Sequence, residues 1–365
     1  MKILHCIPSM RGGGAERQLS YVSTELVRSG IDVHVALIYG GPNSARLEKS
    51  GAVIHKLACW NNHDPRLFVG LLGLIRSIRP NIVQTWLTQM DIFGGFAAMT
   101  QNVPFVLSER NSALSYSGTW KDRLRRFVGS RASLIVANSD AGQAYWLSGG
   151  VSPQATRVIR NAIPFNDIQA ASPDRAHDVI ADRDRELVVF AGRYCEQKNL
   201  RHLMAALEIV LKEREHCIAL LFGKGPLKQM LEDLKARSPN GDRIQIFGYT
   251  DRLWSTLKLA DVFVSVSLFE GIPNTVLEAA ACRCPIVVSE ISEHREFLDD
   301  SSAIFVPTSS PAKIAEGIIE ALSDTTSAKA RADAAFQRIS QWSIGHIAGQ
   351  YLEAYTQVIS GRARN

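Results

Sequence analysis

The chain has 365 residues, more than the roughly 250–300 at which a single hydrophobic core stops growing, so two domains are expected. Its composition is 46% hydrophobic and 21% charged with no low-complexity tract, which excludes disordered and fibrous classes. The net charge of +5 is unevenly spread: residues 1–165 hold 18 Lys and Arg against 9 Asp and Glu, leaving 23 against 27 for the rest, so the first half suits an anionic partner.

The opening run Ile3–Ile7 predicts a strand. It leads into "RGGGAER" at 11–17 and then a helical pattern with Leu19, Val22, Leu26 and Val27 on one face. Strand, glycine loop and helix form a phosphate-handling plan, in which the N–H groups of Gly12, Gly13 and Gly14 approach a phosphate or sugar. The spacing is neither the GxGxxG of a dinucleotide fold nor the GK[ST] ending of a P-loop. A plain tight turn fits these glycines equally well. Further strands are expected at "VHVALI", "VIHKL", "NIVQTW", "PFVLSER" and "LIVANS", with helices between most of them. The segment "WKDRLRRFVGSR" at 120–131 places Trp120, Leu124, Phe127 and Val128 on one face, with Lys121, Arg123, Arg125 and Arg126 round the rest. Such a helix suits an anionic membrane surface or an ordinary core-packed position.

After "RVIRNAIPFND" the stretch 166–186 is polar, and a second series begins with "ELVVFAGR", "CIALLFGKG", "IQIFGY", "VFVSVS", "PIVVSE" and "AIFVP". Two doubly wound α/β domains in tandem, facing a cleft, are therefore expected. Arg193 and Lys198 fall just past one strand end, where a guanidinium and an ammonium can neutralise a diphosphate leaving group or simply sit in solvent. "EGIPNTVLE" sets Glu270 at another strand end and Glu278 one turn into the following helix. Gly271, Ile272, Pro273, Asn274 and Thr275 lie between them, with backbone N–H groups at the helix start.

These three elements, in this order over nearly the whole chain, resemble the family 4 retaining glycosyltransferases of GT-B fold, in their bacterial glycan-assembly branch. The resemblance implies an enzyme that moves a sugar from a nucleotide sugar, a UDP-sugar by expectation, to a glycan or lipid-linked acceptor. It implies that Glu278 holds the ribose and Glu270 faces the donor sugar. Arg193 and Lys198 then bind the diphosphate, Ile272–Thr275 contact sugar and phosphate, and Gly13 and Gly14 approach the diphosphate. Front-face transfer in that family needs no protein base. It also implies an N-terminal acceptor-side domain at 1–165, a nucleotide-sugar domain at 166–342, and a helix at 343–365 that packs back on the first domain, with bends near 160–166 and 340.

Two positions depart from the family pattern. "TWLTQMDIFGG" has Gln89 where many relatives have His, an amide that bonds a hydroxyl but takes up no proton. Arg283 stands where relatives have Gly, at a cost of about 1 kcal/mol if left-handed. Arg110 in "SERNS" lies at a further strand end and is, with Gln89, an acceptor-side candidate. No cofactor or metal is expected: the six cysteines lack zinc spacing and no DxD ends a strand. Nucleic acid is not expected either, because the basic half has no aromatic interleaving. The nine-residue apolar run "LFVGLLGLI" is too short to span a bilayer, so a cytoplasmic protein, soluble or peripheral on the inner membrane face, is expected. The alternatives are a non-catalytic nucleotide-sugar binder and a GT-B nucleotide-sugar epimerase.

Overall fold

In the computed structural model, which describes residues 1–59, 64–173 and 185–362, the opening apolar run forms β1 (Lys2–Cys6), buried at every position but the first. Alternate residues serve two cores. Ile3 and Ile7 join the cluster that holds Leu19, Val35 and Trp86 on one face of the sheet; Leu4 and Cys6 join Leu71 and Ile75 on the other. A strand covered on both faces reads as an unbroken apolar run, and that is the sequence signal seen here.

The remaining strands of this sheet are β2 (Asp32–Leu37), β3 (Val53–Lys56), β4 (Ile82–Trp86), β5 (Phe105–Glu109), β6 (Leu134–Ala137) and β7 (Thr156–Val158). All pair in parallel, in the order β3-β2-β1-β4-β5-β6-β7. The three-residue β7 is too short to carry a period, and the sequence patterns did not announce it.

A second sheet holds β8 (Glu186–Ala191), β9 (Cys217–Phe222), β10 (Ile244–Phe247), β11 (Val262–Ser265), β12 (Ile286–Ser289) and β13 (Ile304–Val306), ordered β10-β9-β8-β11-β12-β13 and again parallel. Val188, Phe190, Val264 and Val287 form its core with the helices Leu200–Glu213 and Pro311–Ser323. Both sheets are thus doubly wound. In each, strand order reverses once, between β1 and β4 and between β8 and β11, and the crevice beyond those strand ends is where such sheets bind ligands.

The chain forms two compact units, Met1–Ala162 with Trp342–Asn365, and Ile163–Gln341. The C-terminal helix Ile344–Arg362 belongs to the first because Ile347, Tyr351, Ala354 and Tyr355 recur at helical spacing and are all buried in the cluster with Ile3 and Trp86.

Candidate functional site

The second unit gathers its chemistry beyond β8 and β11. After β8 the chain passes Arg193, which is exposed, and turns through Glu196–Lys198 into Asn199. Asn199 takes a left-handed conformation (φ 54°, ψ 39°) that asparagine tolerates better than most residues. Its side chain holds the corner, with Nδ2 donating to Thr308 O at 2.8 Å and Oδ1 2.7 Å from His202 Nδ1. The Arg193 loop lies close against the end of β9: Tyr194 N donates to Lys224 O at 3.0 Å, and a Cβ on Gly225 would stand 2.2 Å from Tyr194 O. Only glycine fits there.

Lys198 Nζ donates to Glu270 Oε1, and both side chains are largely buried. Gln197 Nε2 donates to Phe269 O at 2.9 Å and to Glu270 Oε2 at 3.3 Å, so the two loops are tied together at this pair. Glu278 is 5% exposed on the helix Asn274–Ala281. Gly271, Ile272 and Pro273 are buried ahead of it, and Asn274 and Thr275 open the helix with N–H groups that have no intrahelical acceptor. The structure therefore brings Lys198 and Glu270 into contact and sets Glu278 eight residues on in the adjoining helix.

Two residues here escaped the sequence reading. Glu293 is 3% exposed, and its Oε1 accepts from Glu270 N at 3.4 Å. His294 is fully buried, 2.8 Å from Ser289 O through Nδ1, and burial pulls its pKa below the usual imidazole value. Neither stands in a motif; a polar pair just past an apolar strand was the one available signal.

In the first unit a cavity of about 220 Å³ opens beyond β4 and β5, lined by Leu87, Thr88, Gln89, Arg110, Asn111 and Tyr116, with Ser108, Glu109 and Arg125 behind them. Gln89 stands there as the second residue of the helix Thr88–Thr100. Leu87, which caps that helix, has φ 70° and ψ 153°, a region all but reserved for glycine and costing a larger residue about 1–3 kcal/mol.

Glu109 is the hub of the cavity wall. Its Oε1 accepts from Arg110 N at 2.8 Å, Asn111 N at 2.9 Å and Tyr116 Oη at 2.6 Å. Its Oε2 accepts from Arg125 Nη1 at 2.8 Å and Trp146 Nε1 at 2.9 Å. Arg125 also donates from Nε to Asp91 Oδ2 at 2.7 Å, and Asp91 Oδ1 accepts from Thr85. Burial raises the Asp91 carboxyl to about 6 against the pull of Arg125.

This corrects the reading of residues 120–131. The helix runs Trp120–Gly129 behind a Thr119–Asp122 capping box, and Arg125 is one of its most buried residues. Arg126 is also engaged, stacked on Tyr145 and donating to Tyr145 O at 2.9 Å. Trp120 and Phe127 are exposed while Val128 is buried, so the face these apolar residues share by spacing is only partly covered, and the buried side of the helix is carried by Arg125, Val128 and Gly129. A helical period cannot tell a buried, paired arginine from a solvated one.

At the glycine loop, Gly13 caps the helix Gly14–Arg28 and Gly12 has φ 111°. The Glu16 carboxylate folds over this loop: a Cβ on Gly13 would stand 2.2 Å from Glu16 Oε2, and Glu16 Oε1 accepts from Ser9 Oγ at 3.1 Å. A carboxylate this close to Gly13 opposes a phosphate at the same loop. Arg283 is left-handed, with φ 55°, as the glycine-replacing position implied.

Residues 12–166 match the domain described as Glycosyltransferase Family 4, and residues 174–338 match Glycosyl transferases group 1. The chain is 27% identical over 308 residues to EpsF of Bacillus subtilis, which carries a glycosyltransferase name, covering 79% of each chain. It is 24% identical over 247 residues to the UDP-Gal:alpha-D-GlcNAc-diphosphoundecaprenol alpha-1,3-galactosyltransferase of Escherichia coli, covering 63% of this chain and 62% of that one. Among solved structures, Anabaena HepE in complex with UDP-glucose superposes with a TM-score of 0.84 at 19% identity, over 98% of this chain and 100% of that one, and so shares its fold. With the two domain descriptions following one another along two doubly wound sheets, the chain belongs to the GT-B glycosyltransferases, a family 4 domain followed by a group 1 domain.

Proposed function

We propose that the protein transfers a hexose from a UDP-sugar, with retention at the anomeric carbon, to a lipid-linked glycan acceptor in surface-polysaccharide assembly. The observation that carries this reading is the Lys198–Glu270 pair at the strand-order reversal of the second unit, with Glu278 eight residues on in the adjoining helix. A diphosphate arriving there competes with Glu270 for the Lys198 ammonium, which then neutralises the charge that grows on the leaving phosphate. Arg193, exposed in the same loop, adds a second cation. Glu278 is suited to accept from ribose hydroxyls, Glu270 to face the donor sugar, and the first turn at Asn274 and Thr275 to donate to oxygens. Retention then needs no protein base, since the leaving oxygen takes the acceptor proton.

The lipid-linked acceptor reading draws on the Escherichia coli relative's name and on Leu114 and Trp120, exposed apolar residues that flank the lining residue Tyr116 in sequence. Gln89 in that cavity favours a second reading, a protein that binds nucleotide sugar without transferring it. Thermal shift against UDP-, GDP-, ADP- and TDP-sugars, repeated with Glu278→Ala, tests the donor half. Saturation at 100 times Kd adds about 2.7 kcal/mol. Stabilisation by UDP-sugars of the wild type alone supports the reading; no stabilisation by any nucleotide sugar ends it.

A further inference from the structure

The wall of the first unit's cavity is braced from behind by the other end of the chain. Arg110 lines the cavity, and its guanidinium lies over the Trp86 ring at 4.3 Å. Its Nη1 donates to Asn161 Oδ1 at 3.1 Å and its Nη2 to Tyr351 Oη at 2.5 Å. Tyr351 is 1% exposed on the C-terminal helix and stacks on Trp86, ring centroids 6.5 Å apart. Four residues on, Tyr355 Oη donates to Gln84 Oε1, and Gln84 Nε2 donates at 2.6 Å to Ser108, another lining residue. Two hydroxyls on one helix face thus reach the ends of β4 and β5.

Packing alone does not call for those hydroxyls. Phenylalanine fills the same volume, and a buried hydroxyl is tolerated only when bonded. Arg110 is held flat from three sides by groups that carry no charge, so none of them neutralises it. Among the described residues nothing accepts from its Nε. A planar guanidinium fixed in this way presents its remaining N–H groups in a set direction, the arrangement that recognises phosphate or carboxylate.

We infer that Tyr351 is a positioning residue for the acceptor: it orients Arg110 toward an anionic group of the acceptor, the diphosphate of a lipid-linked sugar. The inference rests on the acceptor reading of the cavity proposed above. It differs from the donor chemistry in its location and in its consequence, since Tyr351 affects acceptor recognition and leaves donor binding alone.

The test is a double-mutant cycle on the full chain with Tyr351→Phe, Arg110→Ala and the pair. It measures transfer from the UDP-sugar that gives the largest thermal shift to GlcNAc-diphosphoundecaprenol. Tyr351→Phe is expected to raise the acceptor KM about tenfold, the scale of one hydrogen bond to a charged group, with kcat and donor KM near wild type. In the Arg110→Ala background it is expected to add nothing, because the hydroxyl acts through the guanidinium. An unchanged acceptor KM, or a full additional loss in that background, overturns the inference.

A second readout needs no acceptor. Side-chain ¹⁵N–¹H NMR, assigned by Arg110→Lys, is expected to show slowly exchanging Arg110 Nη2 protons in the wild type and fast ones in Tyr351→Phe; equal exchange in both overturns the hold. If wild type shows the slow protons but transfers nothing to this acceptor, the acceptor reading fails and takes the recognition step with it.

Discussion

Glu109 shows what a single side chain does in this structure. Five donors converge on its carboxylate, and one of them, Arg125, is itself buried. Removing the carboxylate leaves a desolvated guanidinium with one partner fewer. Glu109→Leu is therefore expected to cost about 3–5 kcal/mol in urea denaturation, the scale for breaking a buried ion pair from one side. Arg283 makes the opposite case. Its left-handed backbone penalises any side chain, and its compensation is an exposed ion pair with Asp333 and a position 4.0 Å over the Phe336 ring. Arg283→Gly is expected to be neutral or to stabilise by under about 1 kcal/mol, and a clear drop in Tm would contradict that.

His5 supplies a pH signature. It is fully buried on β1, its Nδ1 accepts from Trp86 Nε1 at 3.2 Å, and burial lowers its pKa to about 3. The folded state holds the neutral ring while the unfolded chain titrates near 6.5, so the unfolded chain binds the extra proton between those values. Stability present above pH 6.5 is then lost as pH falls, at about 1.4 kcal/mol per pH unit from this group until its folded pKa is reached. The expected outcome is a denaturation free energy whose acid limb is shallower in His5→Gln than in wild type; parallel limbs would contradict the assignment.

At the scale of elements, the sequence was most informative where strands are buried on both faces. Unbroken apolar runs such as "LIVANS" and "VFVSVS" announced their strands, and the polar residues just beyond them announced the candidate site. The helix Trp120–Gly129 left two readings open because its period is shared by every amphipathic helix, whatever covers its faces. Arg125 is drawn inward by Asp91 and Glu109, partners 34 and 16 residues away in sequence. No local pattern records such pairs. What remains exposed is Trp120 at 68% and Leu114 at 71%, near Lys121 and Arg123. If these exposed residues meet lipid, Trp120→Ala is expected to lower co-sedimentation with vesicles containing anionic phospholipid severalfold while urea stability stays put, since an exposed ring contributes little to folding. Equal sedimentation of both proteins would rule out that contact. No helix among the described residues is long and apolar enough to cross a membrane.

For the whole molecule, two sheets of like strand order divide the labour. The first unit holds the basic excess, the cavity and the C-terminal helix; the second holds Lys198, Glu270 and Glu278. The charge count sets residues 1–165 apart in the same way, since a positive surplus of that kind suits an anionic partner. Side-chain networks such as Tyr351–Arg110 stayed hidden, since they join residues 241 positions apart. Within the second unit, Lys198→Ala is expected to lower kcat by about 10²–10³ while the protein still folds, the scale for removing one group that stabilises a departing oxyanion.

Transfer with retention from a UDP-sugar is read straight from proton NMR of the purified product. Wild-type protein, an α-linked UDP-hexose and GlcNAc-diphosphoundecaprenol are expected to give a new anomeric proton with the small coupling of an α-linkage, and Glu278→Ala is expected to give none. A β-linked product would contradict retention. UDP-sugar binding without any product would contradict transfer itself and leave Gln89 at the centre of a protein that holds its donor and goes no further.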